Sequence, residues 1–229
     1  GMRTIGVSAR EAQEAQALTC GMIACIDDAI GRVLAALDAS GERDNTVVIF
    51  TTDHGDHLGD HRLLLKGCEQ YQSILHVPFI WSDPASPARA ETDAIGSTID
   101  IAATILDRAR VAPYTGMQGK SLLPAMGPNG KPVRDCTLVQ YEQQMADRDV
   151  DHMPRWHTIV DERYRMTAMW AQGQGALQGE LYDLQNDPGE FDNLWDRPDH
   201  AGIKARLMER LLRLEIEHTD TAPYPTGRA

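Results

Sequence analysis

Two side chains able to ligate a divalent cation, Asp53 and His54, stand together after the apolar run Val47-Val48-Ile49-Phe50, and Gly55 follows them. A carboxylate oxygen beside a neutral imidazole nitrogen suits Mn²⁺ or a similar ion, while Ca²⁺ prefers oxygen ligands. Lys66, further along the same stretch, can supply positive charge to an anion held by that ion. Together these residue types suit an anionic substrate held at a metal ion. The ion acts there as Lewis acid and template, and the lysine offsets charge building on the oxygens. His57 and His61 flank the pair; hydrogen-bonded structural histidines are the plainer reading, contact with a leaving group the sharper one. Glu69 and Tyr71 could line the same pocket. The competing reading of the whole stretch is an acidic, His-bearing surface loop, because short motifs arise by chance.

The elements that must position these groups can be read outward from them. Val47 to Phe50 is short, uninterrupted and rich in β-branched residues, which predicts a central strand buried on both faces. Open α/β sheets bind ligands beyond the carboxyl ends of their strands, where Asp53 and His54 fall. Upstream, Ser8-Ala9-Arg10-Glu11 has the form of a capping box. Leu18, Met22, Ile26, Ile30, Val33 and Leu37 then recur at helical spacing until Gly41 stops the run. Asp27-Asp28 resembles a paired-carboxylate site, but adjacent helical residues point about 100° apart, and a structural reading is preferred. Cys20 and Cys25 lie about 140° apart around the same helix and are not placed to bond each other.

Downstream, Val77 to Trp81 predicts a second strand, with Pro78 at an edge or a strand start. Ser97-Thr98-Ile99-Asp100 opens a helix with Ile99, Ala102, Ala103 and Leu106 along one face. Gly119-Lys120-Ser121 looks like the end of a phosphate-binding loop, yet the first glycine of that motif would fall at Tyr114, so the match fails. The Pro- and Gly-rich stretch 124–135 suggests a boundary, giving an α/β core over 1–125 and a small α+β subdomain over 126–229. Within the latter, 137–141, 156–160, 164–170 and 180–184 predict short strands of an antiparallel sheet. Ile203, Leu207, Leu211 and Leu214 mark a closing helix, whose outer Arg206, Arg210 and Arg213 read as a solvated face. The tail with Pro223 and Pro225 is expected to be loose or used in subunit contacts.

The 229 residues are 42% hydrophobic, enough to bury a core, and carry a formal net charge of −12. That charge disfavours nucleic acid and an electrostatic membrane partner, and no apolar run is long enough to span a bilayer. Gly1 before Met2 reads as a scar of tag removal, and the start has no apolar core of a signal peptide. Four cysteines without paired C-x-x-C spacing argue against a zinc site and for free thiols in a cytoplasmic protein.

Thr52-Asp53-His54-Gly55-Asp56, Leu58-Gly59-Asp60-His61 and Lys66-Gly67 resemble the second metal-binding segment of sulfatases and phosphonate monoester hydrolases, members of the alkaline phosphatase superfamily. The likeness continues through Ser73 to Trp81, Ile99 to Leu106, Gly119 to Pro124, Glu180 to Leu184, Asp187 to Glu190 and Asn193-Leu194, in the family's order. It covers nearly the whole chain but only the C-terminal half of such an enzyme. It implies a partial alkaline-phosphatase-like α/β sheet flanked by helices, followed by a small antiparallel sheet and a closing helix. By resemblance Asp53 and His54 are metal ligands for Ca²⁺ or Mn²⁺, and Lys66 contacts the transferred group of a sulfate ester or a phosphonate ester. The further acidic ligands, the formylglycine-forming Cys or Ser and its neighbouring Arg belong to the family's N-terminal half. Ala85-Ser86-Pro87-Ala88-Arg89 mimics the nucleophile signature with an inert alanine in the reacting position. Three outcomes follow: a sulfatase portion inactive alone, a phosphonate or phosphodiester hydrolase, or a non-catalytic interaction module. A separate N-terminal half or a homo-oligomer would then cover the exposed sheet.

Overall fold

A computed structural model describes residues 5–86, 91–142, 155–170 and 175–219. Gly1-Met2, the Pro87–Arg89 part of the nucleophile-like segment and the proline-bearing tail lie outside the described residues. The chain forms two compact units, Gly1–Ala88 and Arg89–Ala229. The expected boundary at 125/126 falls inside the second.

In the first unit, strand β1 (Ile5–Gly6) precedes helix α1 (Ala9–Ser40). The capping box forms as the sequence predicts: Glu11 N–H donates to Ser8 Oγ, and Ser8 N–H donates to the Glu11 carboxylate at 2.9 Å. Gly41 ends the helix at φ 74°, where a residue with a Cβ would be strained. Strand β2 (Val48–Thr51) follows, then β3 (Leu63–Leu64), the one-turn helix α2 (Gln72–Leu75) and β4 (Phe79–Ser82). β1 pairs with β3, and β2 pairs antiparallel with β4, Phe50 lying opposite Ile80. Pro78 sits immediately before β4, a strand start that tolerates its missing N–H.

The predicted burial of β2 needs correction. β2 is half-buried, not enclosed on both faces, because among the described residues β4 is its single partner; Phe50 remains 40% and Ile80 57% exposed on their common face. The apolar stripe of α1 is also uncovered: Leu18, Met22, Ile26 and Val33 are all more than half exposed. Ala12 is the one buried α1 residue, set beneath the loop that holds Gly59. Asp27 and Asp28 face outward, and Cys20 and Cys25 are free and exposed.

The second unit begins with α3 (Asp100–Arg108). Its inner face carries Asp100, Ala103 and Thr104, while Ile99 and Ala102 are exposed, which corrects the face expected from apolar residues alone. The reason is local. The Asp100 carboxylate accepts from Ser97 N–H and Lys120 N–H, each at 2.8 Å, and pairs with Arg134, so it can be buried. Gly119 runs so close to the Ile99 carbonyl that no Cβ would fit, and the Gly119-Lys120-Ser121 segment is thereby a structural bridge to α3.

Strands β5 (Cys136–Glu142), β6 (Arg155–Asp161), β7 (Tyr164–Trp170) and β8 (Gln178–Asp183) form an antiparallel meander in chain order. Helix α4 (Ala201–Glu217) lays Leu207 and Leu211 on Ile159, Met166 and Leu181, with Leu194 and Trp195 completing the core. The predicted sheet and closing helix are both present. Of the outer arginines, Arg210 binds Asp161 and Asp135 at 2.9 Å each, Arg213 binds Glu209, and Arg206 lies over the Tyr164 ring. Arg165 lies fully buried between Glu190 and Glu180, donates to Thr167 Oγ1 at 2.7 Å and covers the Tyr182 ring. Among the described residues no helix is long and apolar enough to cross a membrane.

Candidate functional site

Asp53 and His54 leave the carboxyl end of β2, as the sequence places them. The turn that follows depends on Gly55, whose N–H donates to the Ile74 carbonyl at 2.9 Å. A Cβ at Gly55 would lie 1.9 Å from the Ser73 carbonyl oxygen, so the turn after β2 and the backbone of α2 approach as closely as glycine alone permits. This contact holds the Asp53–His54 corner against the segment that carries Tyr71 and Ser73.

Orientation of the His54 ring follows from its hydrogen bonds. Nδ1–H donates to the Gly55 carbonyl at 2.8 Å, which leaves Nε2 as the ring's acceptor. A backbone carbonyl in this role is the usual way a ligating histidine has its tautomer and ring plane set. Nε2 lies 3.4 Å from Asp53 Oδ2, and Lys66 Nζ donates to it. Asp53 itself is largely exposed, and His54 about a third exposed. The Asp53 carboxyl is held below its ordinary range, first by its own backbone amide and then, against a burial penalty larger than either, by the His54 ring and the Thr52 hydroxyl.

The loop between His57 and Lys66 is bent by an unusual run of left-handed residues: Leu58, His61, Arg62 and Leu65 all have φ between 46° and 67°, and Gly59 has φ 110°. Non-glycine residues reach that region at a steric cost, and such conformations gather at functional loops. Gln16 of α1 ties the loop down by donating to the Leu58 carbonyl at 2.7 Å. His61 stacks on Tyr71 with ring centroids 3.8 Å apart.

His57 is 1% exposed. Its Nδ1 shares a hydrogen bond with Ser73 Oγ at 3.1 Å, and Nε2, 4.0 Å from Glu69, has no hydrogen-bond partner. Burial pushes its pKa down, outweighing the carboxylates of Glu69, Asp60 and Asp56. This is a neutral structural imidazole that braces the loop. The Cys68 thiol is pushed up to about 11 by burial and by Glu69, which leaves it a poor nucleophile. Ala85 is exposed in a turn capped by Asp83, far from nucleophile chemistry by its side chain alone.

The structure therefore brings together Asp53, His54 and Lys66, and places Glu69 beside His57 and Tyr71 beside His57 and His61. Sequence reading missed Ser73 as the partner of His57, and missed the left-handed residues. The donor set suits a divalent cation as far as it goes: one carboxylate and one imidazole, whose Nε2 here accepts from Lys66. No third His, Cys, Asp or Glu joins them among the described residues.

Residues 7–111 match the profile of the Sulfatase family. The chain is 32% identical over 222 residues to the multifunctional alkaline phosphatase superfamily protein PehA of Trinickia caryophylli, covering 92% of this chain and 42% of that protein. It is 27% identical to the N-acetylglucosamine-6-O-sulfatase of Bacteroides thetaiotaomicron, covering 88% and 36%. The phosphonate monoester hydrolase of Agrobacterium radiobacter shares its fold at a TM-score of 0.76 and 31% identity, over 87% of this chain and 41% of that one. The chain thus spans about two fifths of the length of the relatives it matches.

Proposed function

Starting from a chain related in sequence and fold to the sulfatases and phosphonate monoester hydrolases of the alkaline phosphatase superfamily, we propose that it is the C-terminal portion of a metal-dependent hydrolase of sulfate esters. The observation that carries this reading is the His54 ring. Its Nδ1–H is spent on the Gly55 carbonyl, and its Nε2 lone pair converges with the Asp53 carboxylate and the Lys66 ammonium. Asp53 and His54 would hold the ion, Ca²⁺ or Mn²⁺, and Lys66 would contact the transferred group. When bound, the ion supplies Lewis-acid stabilisation of charge on the ester oxygens. The chain's own residues orient and neutralise: the Gly55 carbonyl fixes the imidazole, and Lys66 balances negative charge delivered to a corner that already holds a carboxylate.

Two ligands hold a cation weakly, and no Ser or Cys of the sequence stands in the family's nucleophile signature, where Ala85 takes the reacting position. In this reading the chain alone does not turn over sulfate esters. The likeness to the Agrobacterium enzyme favours a second reading, a phosphonate or phosphodiester hydrolase. The test is an assembly of this chain with the N-terminal portion of a relative, assayed on aryl sulfate and aryl phosphonate monoesters with Ca²⁺ or Mn²⁺. Sulfate hydrolysis that falls at least a hundredfold in Asp53→Ala and in Lys66→Ala supports the proposal. A preference for the phosphorus ester overturns the sulfatase assignment, and activity unchanged in both variants overturns the site.

A further inference from the structure

We propose that His57 is a positioning residue for the candidate site: its neutral, buried imidazole pins the loop that delivers Lys66 to the Asp53–His54 corner, and protonation of that ring lets the loop go. The inference deepens the hydrolase reading above and rests on it for the role of Lys66, while the pin itself rests on geometry. His57 clasps the loop through its backbone. Its N–H donates to the Leu65 carbonyl at 3.3 Å, next to Lys66, and its carbonyl accepts from Asp60 N–H at 2.8 Å. Its ring bonds Ser73 Oγ on α2 at 3.1 Å, and α2 is held to the corner through Gly55 N–H and the Ile74 carbonyl. One residue thus joins the start of the loop, its return at Leu65 and the helix packed on the metal-ligand corner.

A pin is needed because the loop is wound against its preference. Leu58, His61, Arg62 and Leu65 have φ between 46° and 67°, where residues with a Cβ are strained. Gln16 ties down the Leu58 carbonyl and Val7 N–H the Arg62 carbonyl, and neither tie can titrate. His57 can. Its side chain is buried, and Nε2 has no hydrogen-bond partner among the described residues. Protonation makes both ring nitrogens donors. Ser73 Oγ can serve Nδ1, but Nε2–H becomes a buried charged donor without an acceptor, since the Glu69 carboxylate stands 4.0 Å away.

Around the ring lie the carboxylates of Glu69, Asp60 and Asp56, the His61 imidazole and the Tyr71 ring, edge-on at 6.0 Å between centroids. The carboxylates favour the cation and His61 opposes it; burial is the largest influence and holds the pKa below its ordinary value. Opening the loop hydrates the ring and restores a pKa of about 6.5. The neutral ring therefore favours the closed loop. Opening is insensitive to pH above about 6.5 and grows, by about tenfold per unit at most, as pH falls from there toward the folded-state pKa. Lys66 leaves the corner with Leu65, and acid switches the site off.

The test is hydrogen exchange of the chain alone at pH 7.5 and 5.5, corrected for the intrinsic pH dependence of amide exchange. Protection in 57–66 should fall roughly 3- to 10-fold in acid, with 155–170 unchanged. The assigned His57 ring signal should titrate below pH about 6.5, and Glu69→Gln should lower its midpoint further. His57→Gln, which still offers Ser73 a polar partner, should protect 57–66 equally at both pH values, and His61→Gln should keep the wild-type dependence. Protection that rises in acid would mean that Glu69 swings onto Nε2, and overturns release. Dependence that survives in His57→Gln or vanishes in His61→Gln overturns the assignment to His57. Should a variant fail to fold, the wild-type ring decides: a midpoint at or above about 6.5 overturns the pin. Loop release in a chain whose assembly cleaves neither ester supports the pin while removing the hydrolase reading, and hydrolysis without loop release does the reverse.

Discussion

Replacing Gly55 by alanine tests whether backbone contact sets the site. The new Cβ would sit 1.9 Å from the Ser73 carbonyl oxygen, and real Cβ atoms keep roughly 3 Å or more from such a neighbour. One backbone must therefore retreat by about 1 Å, an overpacking strain of about 1–3 kcal/mol. The hydrogen bond from Gly55 N–H to Ile74 O lies on the same contact and should open with it. Converted at tenfold per 1.4 kcal/mol, amide exchange in 53–57 and 72–76 should quicken roughly 5- to 150-fold, read by mass spectrometry on the chain itself. In the assembled enzyme, displacing ligands by about 1 Å should cost on the order of a hundredfold in turnover. Gly21→Ala is the matched control: nothing lies within 4 Å of its Cβ, and in the middle of α1 it should stabilise by about 0.5–1 kcal/mol. The reasoning fails if Gly55→Ala exchanges within twofold of the wild type and the assembly keeps its activity.

Other consequences can be checked on the chain alone. Arg165→Met leaves the Glu190 carboxylate buried without its cation and should destabilise the second unit by about 3–5 kcal/mol in urea unfolding, with Arg165→Met/Glu190→Gln recovering much of the loss. Leu207→Ala removes a wholly buried side chain beneath the meander and should cost about 2–5 kcal/mol, whereas the exposed Leu212→Ala should change stability by less than about 0.5 kcal/mol. His57 has a folded-state pKa below its unfolded value of about 6.5. Below that value the unfolded chain binds the extra proton, so stability is full above pH about 6.5 and falls as pH drops toward the folded pKa. Urea midpoints measured from pH 8 to pH 5 should therefore decline less steeply in His57→Gln than in the wild type.

What the sequence revealed divides along physical lines. Local rules were legible: the Ser8–Glu11 box, the Gly41 stop, the β2 corner with Asp53 and His54, and the alternating strands from Cys136 to Asp183 each follow from neighbouring residues. Coverage was not. The period of Leu18, Met22 and Ile26 specifies which face of α1 is apolar, but not whether anything lies against it. Arg165 was invisible as a core residue because a charge inside a strand reads as exposed until Glu180 and Glu190 arrive from later in the chain. Leu58, His61, Arg62 and Leu65 carry no sequence mark of left-handed backbone, since the close packing of the loop imposes it.

The meander has a kinetic consequence. Each strand from β5 to β8 pairs with the next in the chain, and Glu162-Arg163 alone joins β6 to β7. Loop closure for that hairpin is nearly as inexpensive in entropy as a β-structure allows. Arg163 then locks onto Asp183 at 2.7 Å, fastening the turn to the end of β8. The β6–β7 hairpin is thus the natural nucleus, with β8 and α4 condensing on it. Substitutions at Ile159 or Met166 should slow refolding, while truncating Leu211 on α4 should chiefly hasten unfolding.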